Sequence, residues 1–266
     1  TRNLQYIHLV SNAGTTLPTD LWVPSTYRVK PQISWLYAAG LFKNFTNNTY
    51  ETSVEVYYKS LDNQVEYREG YTPNTLEDTE QDFTFGKGWS YGTEFFVNKI
   101  KGRLTGWVGY TLSYTWRKFD KLNAGEKFPA KFDRRHDMSV VAMYQLNKRW
   151  KLSGTFVFGT GNSFSMPESF YIFNGTISQQ YSGINQYRLP SYHRIDLAAI
   201  LSPKKNENRK WKTEWVFAVY NAYSRQNPYF IYFDQTGSPF DGSLKVQAKQ
   251  VSIFPIIPSV TWNFKF

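Results

Sequence analysis

Residues 251–266, VSIFPIIPSVTWNFKF, decide the fold. From Phe254 the even positions run Phe254, Ile256, Pro258, Val260, Trp262, Phe264 and Phe266. The odd positions from Ser259 are Ser259, Thr261, Asn263 and Lys265. Successive side chains of a strand leave opposite faces, so this stretch has one greasy face and one wet one. It ends on an aromatic. A strand with lipid on its outer side and water on its inner side carries that pattern, as in outer-membrane barrels.

The same alternation recurs upstream. Residues 103–117 place Leu104, Gly106, Val108, Tyr110, Leu112, Tyr114 and Trp116 on one face. Arg103, Thr105, Thr111, Ser113, Thr115 and Arg117 take the other, with Trp107 as the bulky intruder. Comparable runs occupy 4–9, 32–43, 49–59, 89–99, 134–146, 150–159, 192–202 and 211–223, which makes ten expected strands with the terminal one. Long connections, such as 11–30, 61–88 and 160–191, alternate with short ones, such as 99–102, 147–149 and 203–210. Outer-membrane barrels join their strands by long outer loops and short periplasmic turns, whereas a soluble sandwich has no reason to keep that alternation. With the C-terminus periplasmic, Trp150 and Trp211 belong to the inner aromatic girdle, and Trp89 and Trp116 to the outer one.

Composition agrees. Aromatics are 19% of the 266 residues, more than an ordinary soluble core uses and suited to interfacial girdles. No run approaches the roughly 18 apolar residues of a spanning helix, so a helical membrane protein is excluded. Cysteine is absent, which removes disulfides and thiolate metal sites. The net charge of +10 is scattered over turns, loops and polar faces rather than gathered in a stripe, so nucleic acid is not an expected partner. The chain opens at TRNLQYIHLV, already within a strand-like run, and we expect it to be a section of something larger.

Several motifs resemble one family. FDRRHDMSVV (132–141), LNKRWKLSGTFVFGTGNSFSMP (146–167), YRLPSYHRIDL (187–197), VYNAYSRQNPYF (219–230) and FPIIPSVTWNFKF (254–266) resemble the C-terminal barrel of TonB-dependent outer-membrane transporters of the Bacteroidetes type. TDLWVPS (19–25) followed by KPQ (30–32) fits as well. The resemblance covers essentially all of residues 1–266. It implies an all-β fold: an antiparallel transmembrane β-barrel, of which this chain supplies about ten C-terminal strands out of roughly 22 around a plugged lumen. The plug and the N-terminal strands would lie outside the chain. It also implies a place in the bacterial outer membrane and TonB-dependent uptake of a nutrient, whether glycan, peptide, or metal or cofactor complex. The partners it implies are outer-membrane lipid, the plug and remaining strands, a TonB-type energy-transducing protein and a cognate surface lipoprotein. No enzyme activity and no cofactor are expected. The rival readings are a complete ten-stranded barrel acting as a surface enzyme or adhesin, and a soluble carbohydrate-binding sandwich.

Two groups of residues are candidate contacts. The first is the rim cluster Arg134, Arg135, His136 and Asp137, with His193 and Arg194 at the top of another strand. Either these face a ligand, or Asp133 and the arginines tie strands and loop backbone together. Neighbouring strand residues face opposite ways, which argues against His136 and Asp137 as a catalytic dyad. The second group is the loop aromatics Tyr71, Tyr171, Phe173, Tyr181, Tyr187, Tyr229 and Tyr232. Such rings give large contact area at small entropic cost, and equally they serve to pack long loops together. His8, His136 and His193 have no paired spacing, so no metal site is expected. Residues 77–82, EDTEQD, lack the calcium-loop pattern and read as a solvated loop. Residues 159–162, GTGN, read as a strand-end turn, and the asparagine sequons at 44, 47 and 174 should be inert in a bacterial barrel.

Overall fold

The computed structural model describes residues 1–10, 21–68, 79–173, 176–181, 183–204, 212–238 and 242–265. Its spine is one antiparallel sheet. The ten strands along it are β1 (Arg2–Gln5), β4 (Gln32–Phe45), β5 (Tyr50–Tyr67), β6 (Phe83–Lys99), β7 (Leu104–Lys118), β9 (His136–Gln145), β10 (Trp150–Gly159), β15 (Tyr192–Leu201), β16 (Lys212–Tyr220) and β19 (Ile257–Lys265). Each pairs with the next, and β8 (Phe128–Pro129) joins β7 off this path. The sheet is open, with β1 and β19 at its two edges. No helix among the described residues is long and apolar enough to cross a membrane.

Register extends the alternation of single strands into a property of the whole sheet. Tyr37 opposes Tyr58, Tyr58 opposes Tyr91, and Tyr91 opposes Tyr114. Further along, Val108 opposes Val140, Val140 opposes Phe156, and Phe156 opposes Ile195. At the far edge Phe217 opposes Val260 and Trp215 opposes Trp262. Directly opposed residues share a face, so one apolar surface runs unbroken from β4 to β19. It is uncovered: Leu41 is 80% exposed, Tyr37 63% and Val260 62%. The opposite face carries Glu51, Glu55, Glu94, Thr111, Ser113, Asp137, Asp196, Glu214 and Asn263. An apolar face this broad and bare has no stable place in water.

The long connections hold hairpins of their own. These are β2 (Ile7–Val10) with β3 (Leu21–Pro24), β11 (Ser163–Phe164) with β14 (Tyr187–Arg188), β12 (Pro167–Phe173) with β13 (Thr176–Tyr181), and β17 (Phe230–Thr236) with β18 (Lys245–Val251). Both buried apolar clusters found among the described residues lie at this end. Val10, Val23, Val29, Val65 and Phe83 form one, and Phe119, Leu122 and Phe128 the other. Away from that end the sheet has no such cluster among the described residues, which suits a wall whose two faces are covered by something other than itself.

Four expected strands depart most from their expected bounds. The run 4–9 breaks at Tyr6, so Arg2–Gln5 joins the sheet while Ile7–Val10 turns into a hairpin. The terminal strand starts at Ile257, because Lys245–Val251 pairs with β17 and Pro255 comes after it. β5 and β6 continue well past residues 59 and 89, through a bulge at which Asp62 and Asn63 face the single residue Lys87. Asn63 there has φ 57° and donates Nδ2–H to the Pro31 carbonyl at 2.8 Å. One extra residue reverses the parity of every residue beyond the bulge. Val65 and Tyr67 therefore take the side that Val54, Val56 and Tyr58 hold lower down.

Candidate functional site

The rim at the long-connection end is where charged and aromatic side chains converge. Asp133 precedes β9 and is 1% exposed. Its carboxylate accepts from Arg135 Nε at 3.2 Å, from Arg188 Nη2 and from the Thr115 backbone N–H at 2.6 Å. Arg188 also donates to the Asp133 carbonyl at 2.6 Å and the Gly161 carbonyl at 3.3 Å. A buried carboxylate holds its charge only when paired and hydrogen-bonded, and here β7, β14 and the segment leading into β9 meet on it. Gly161 is required at this crossing, because a Cβ there would sit 1.8 Å from the Leu189 carbonyl oxygen.

A second knot lies at the top of β15. Arg194 donates Nε–H to Asp196 at 2.9 Å, donates to the Tyr192 hydroxyl at 2.6 Å and to that of Tyr220, and stacks 3.9 Å from the Tyr220 ring centroid. Asp196 accepts the Asn221 backbone N–H at 2.9 Å. Asn221, fully buried at φ 52°, donates Nδ2–H to the carbonyls of Arg225 and Phe254 at 3.0 and 2.9 Å. Asn227 imitates a strand residue: it accepts the His193 N–H at 3.0 Å and donates to the His193 carbonyl at 2.9 Å. These two asparagines fasten the connection between β16 and β19 onto β15.

The sheet divides the rim cluster between its faces. Asp137 and Arg194 belong to the polar face, as does Arg134, which reaches Asp137 at 3.5 Å and Asn162 Oδ1 at 3.2 Å. His136 and His193 belong to the apolar face, where their Nδ1 atoms lie 2.8 Å from the Tyr110 hydroxyl and 2.7 Å from the Tyr223 hydroxyl. Arg135 lies over the rings of Tyr114 and Trp116 on that same side. His136 and Asp137 thus cannot act on one substrate atom. No group of three or more metal-binding side chains forms among the described residues.

Residues 79–82 form a short 3₁₀ turn, in which Asp82 pairs with Arg68 at 2.6 Å and Glu80 accepts from Thr26 Oγ1 at 3.1 Å. Glu77 and Asp78 lie outside the described residues. The 159–162 stretch closes a strand end as expected: Thr160 N–H reaches the His136 carbonyl at 2.8 Å, and Leu189 N–H that of Asn162 at 3.0 Å. His8, which its spacing left unassigned, is fully buried in the β2–β3 hairpin with Nε2 2.9 Å from Ser25 Oγ. Burial lowers its pKa below the ordinary value of 6.5.

The loop aromatics fall into two kinds. Tyr187 lies 6.3 Å from Phe164 and packs β14 against β11, while Tyr232 lies 6.2 Å from Phe230 on its own strand. Burial raises the Tyr181 pKa. Tyr171 and Tyr229 are 50% and 52% exposed, the Tyr229 ring standing edge-on to Phe230 at 5.6 Å. Phe170 and Phe233 lie 6.1 Å apart, which brings the β12–β13 and β17–β18 hairpins together. Tyr71 and the side chain of Phe173 lie outside the described residues.

No protein-family model matches the chain, and no curated protein matches it. Among solved structures, it is similar to the ferric-catecholate import receptor Fiu from E. coli K12 in its closed form. The TM-score is 0.46 and the identity 16%, over 75% of this chain and 24% of that receptor. The chain thus spans about a quarter of the length of the receptor it matches.

Proposed function

We propose that the chain is part of the wall of an outer-membrane barrel that takes up a nutrient by TonB-dependent transport. The observation that carries the membrane reading is the unbroken apolar face registered across β4 to β19, opposite a face bearing most of the strand charges. At the bilayer midplane an outward Lys or Arg costs about 2–4 kcal/mol, so this sorting of charge is what lipid on one side requires. The transport reading rests on the motifs in residues 132–167, 187–197, 219–230 and 254–266, which resemble Bacteroidetes-type TonB-dependent transporters. On this reading the polar face lines a lumen around a plug, and a surface lipoprotein passes substrate to the loops. The candidate captors are the half-exposed rings Tyr171 and Tyr229. The surface-enzyme alternative loses its His–Asp pair to opposite faces of the sheet.

The test is genetic and biochemical. Deleting the gene should abolish accumulation of one nutrient class from dilute medium, and depleting the TonB-type protein or collapsing the proton gradient should abolish the same uptake. Uptake that survives loss of energy coupling would leave a passive channel instead. Within the working transporter, replacing Tyr171 and Tyr229 together by Ala should weaken capture about thirtyfold, if each ring supplies on the order of 1 kcal/mol. Binding of the nutrient to purified protein measures it, and unchanged affinity would remove both rings from the site.

A further inference from the structure

The long-connection end of the apolar face carries cations, and nothing in nutrient uptake accounts for them. Lys127, just before β8, places Nζ 4.9 Å from the Trp116 ring centroid. Arg135, just before β9, places its guanidinium 4.2 Å from the Tyr114 ring and 5.6 Å from Trp116. Two cations from separate segments thus converge on neighbouring rings of β7. Those rings belong to the apolar face: Trp116 opposes Trp89, and Tyr114 opposes Tyr91 with the rings stacked at 5.4 Å. Below them on β7 come Leu112, Tyr110 and Val108.

We propose that this patch binds the phosphate-bearing headgroup of a lipid in the adjoining leaflet. The proposal rests on the membrane-wall reading, and not on transport. Charge supports it. Asp133 is shared between Arg135 and Arg188, so that trio remains positive before Lys127 is added, and the exposed Glu126 beside Lys127 does not cancel the excess. Donors are also available. Arg135 commits Nε to Asp133, which leaves its terminal amino groups outside that bond, and Lys127 is exposed on its ring. A cation held against an aromatic face is fixed in place while its remaining donors stay open to an anion. The patch is continuous with the apolar face, so acyl chains would lie on Leu112 and Val108 while the phosphate meets Lys127 and Arg135. A soluble anion would make only the second of these contacts.

The protein, purified from its own membrane, is placed in nanodiscs of phosphatidylcholine doped with either bis-phosphorylated or dephosphorylated lipid A, and retained lipid is counted by native mass spectrometry. The phosphorylated form should be retained preferentially. Lys127→Gln should reduce that preference about fivefold, the effect of one cation near an anionic surface. Arg135→Lys keeps the charge beside Asp133 but loses the planar stack on Tyr114, and should reduce it to a smaller extent. Equal retention of both lipids, or variants indistinguishable from the parent, would overturn the proposal. So would displacement of the lipid by millimolar inorganic phosphate alone, which would assign the patch to a free anion. Failure of the protein to enter nanodiscs at all would instead overturn the membrane reading beneath it.

Discussion

Asp133 shows how a single residue can govern the rim. Its two arginine partners keep 29% and 26% exposure, so the penalty for losing the carboxylate falls below that of a fully buried pair. Asp133→Asn should cost about 2 kcal/mol, against the ~3–5 expected of a wholly buried break. The measurement is the urea midpoint in detergent, with hydrogen exchange increasing first around 160–164 and 187–189. His8 offers a pH test. Its folded pKa lies below the unfolded value of 6.5, so between those two values the unfolded chain binds more protons and stability rises with pH. The β2–β3 hairpin should thus be firm above about pH 6.5 and loosen as the pH falls toward the lowered value. Amide exchange at Ile7–Val10 reads this out, and His8→Gln should abolish the pH dependence. The sequence carried part of this site. The density of charge at residues 133–137 was plain, and so was the opposition of His136 and Asp137, because both are local. The partnership of Asp133 with Arg188 was not, because those residues lie 55 positions apart and only the fold joins them. Asn221 and Asn227 were hidden for another reason: an asparagine that ties backbone groups looks like any loop asparagine until its partners are known.

Among elements, the two faces of one strand should answer differently to the same charge. Phe95→Arg would place a guanidinium on the apolar face, opposite Tyr110, at a cost of about 2–4 kcal/mol near the bilayer midplane. Thr111→Arg lies on the polar face directly opposite Glu94 and should cost little. Comparing unfolding midpoints of the two variants in the same detergent tests the assignment, and equal losses would refute it. Period-two alternation made most strands legible, since side-chain direction needs no knowledge of neighbours. It failed where alternation itself was interrupted. The bulge at Asp62–Asn63 reverses parity and hides the continuation of β5, while Pro255 hides the start of β19. The loop hairpins were missed because β12–β13 and β17–β18 carry no lasting apolar period. They are held by cross-strand pairing and the Phe170–Phe233 contact, neither of which is local.

For the whole molecule, the deciding question is which faces meet lipid. The buried clusters gather at the long-connection end, the rest of the sheet has no core of its own among the described residues, and its apolar side is bare. A wall between lipid and water explains all three observations together. The chain contains no cysteine, so single cysteines can be introduced along β7 from Leu104 to Lys118 and labelled with a nitroxide in lipid bilayers. Collisions with oxygen, which concentrates in lipid, are then compared with collisions with a water-soluble nickel chelate. A wall with lipid on its apolar face should give oxygen maxima at residues 104, 108, 110, 112 and 114, and chelate maxima at 111, 113 and 115, in a period of two. Labels that all meet the aqueous chelate alike, or that show no such period, would contradict it.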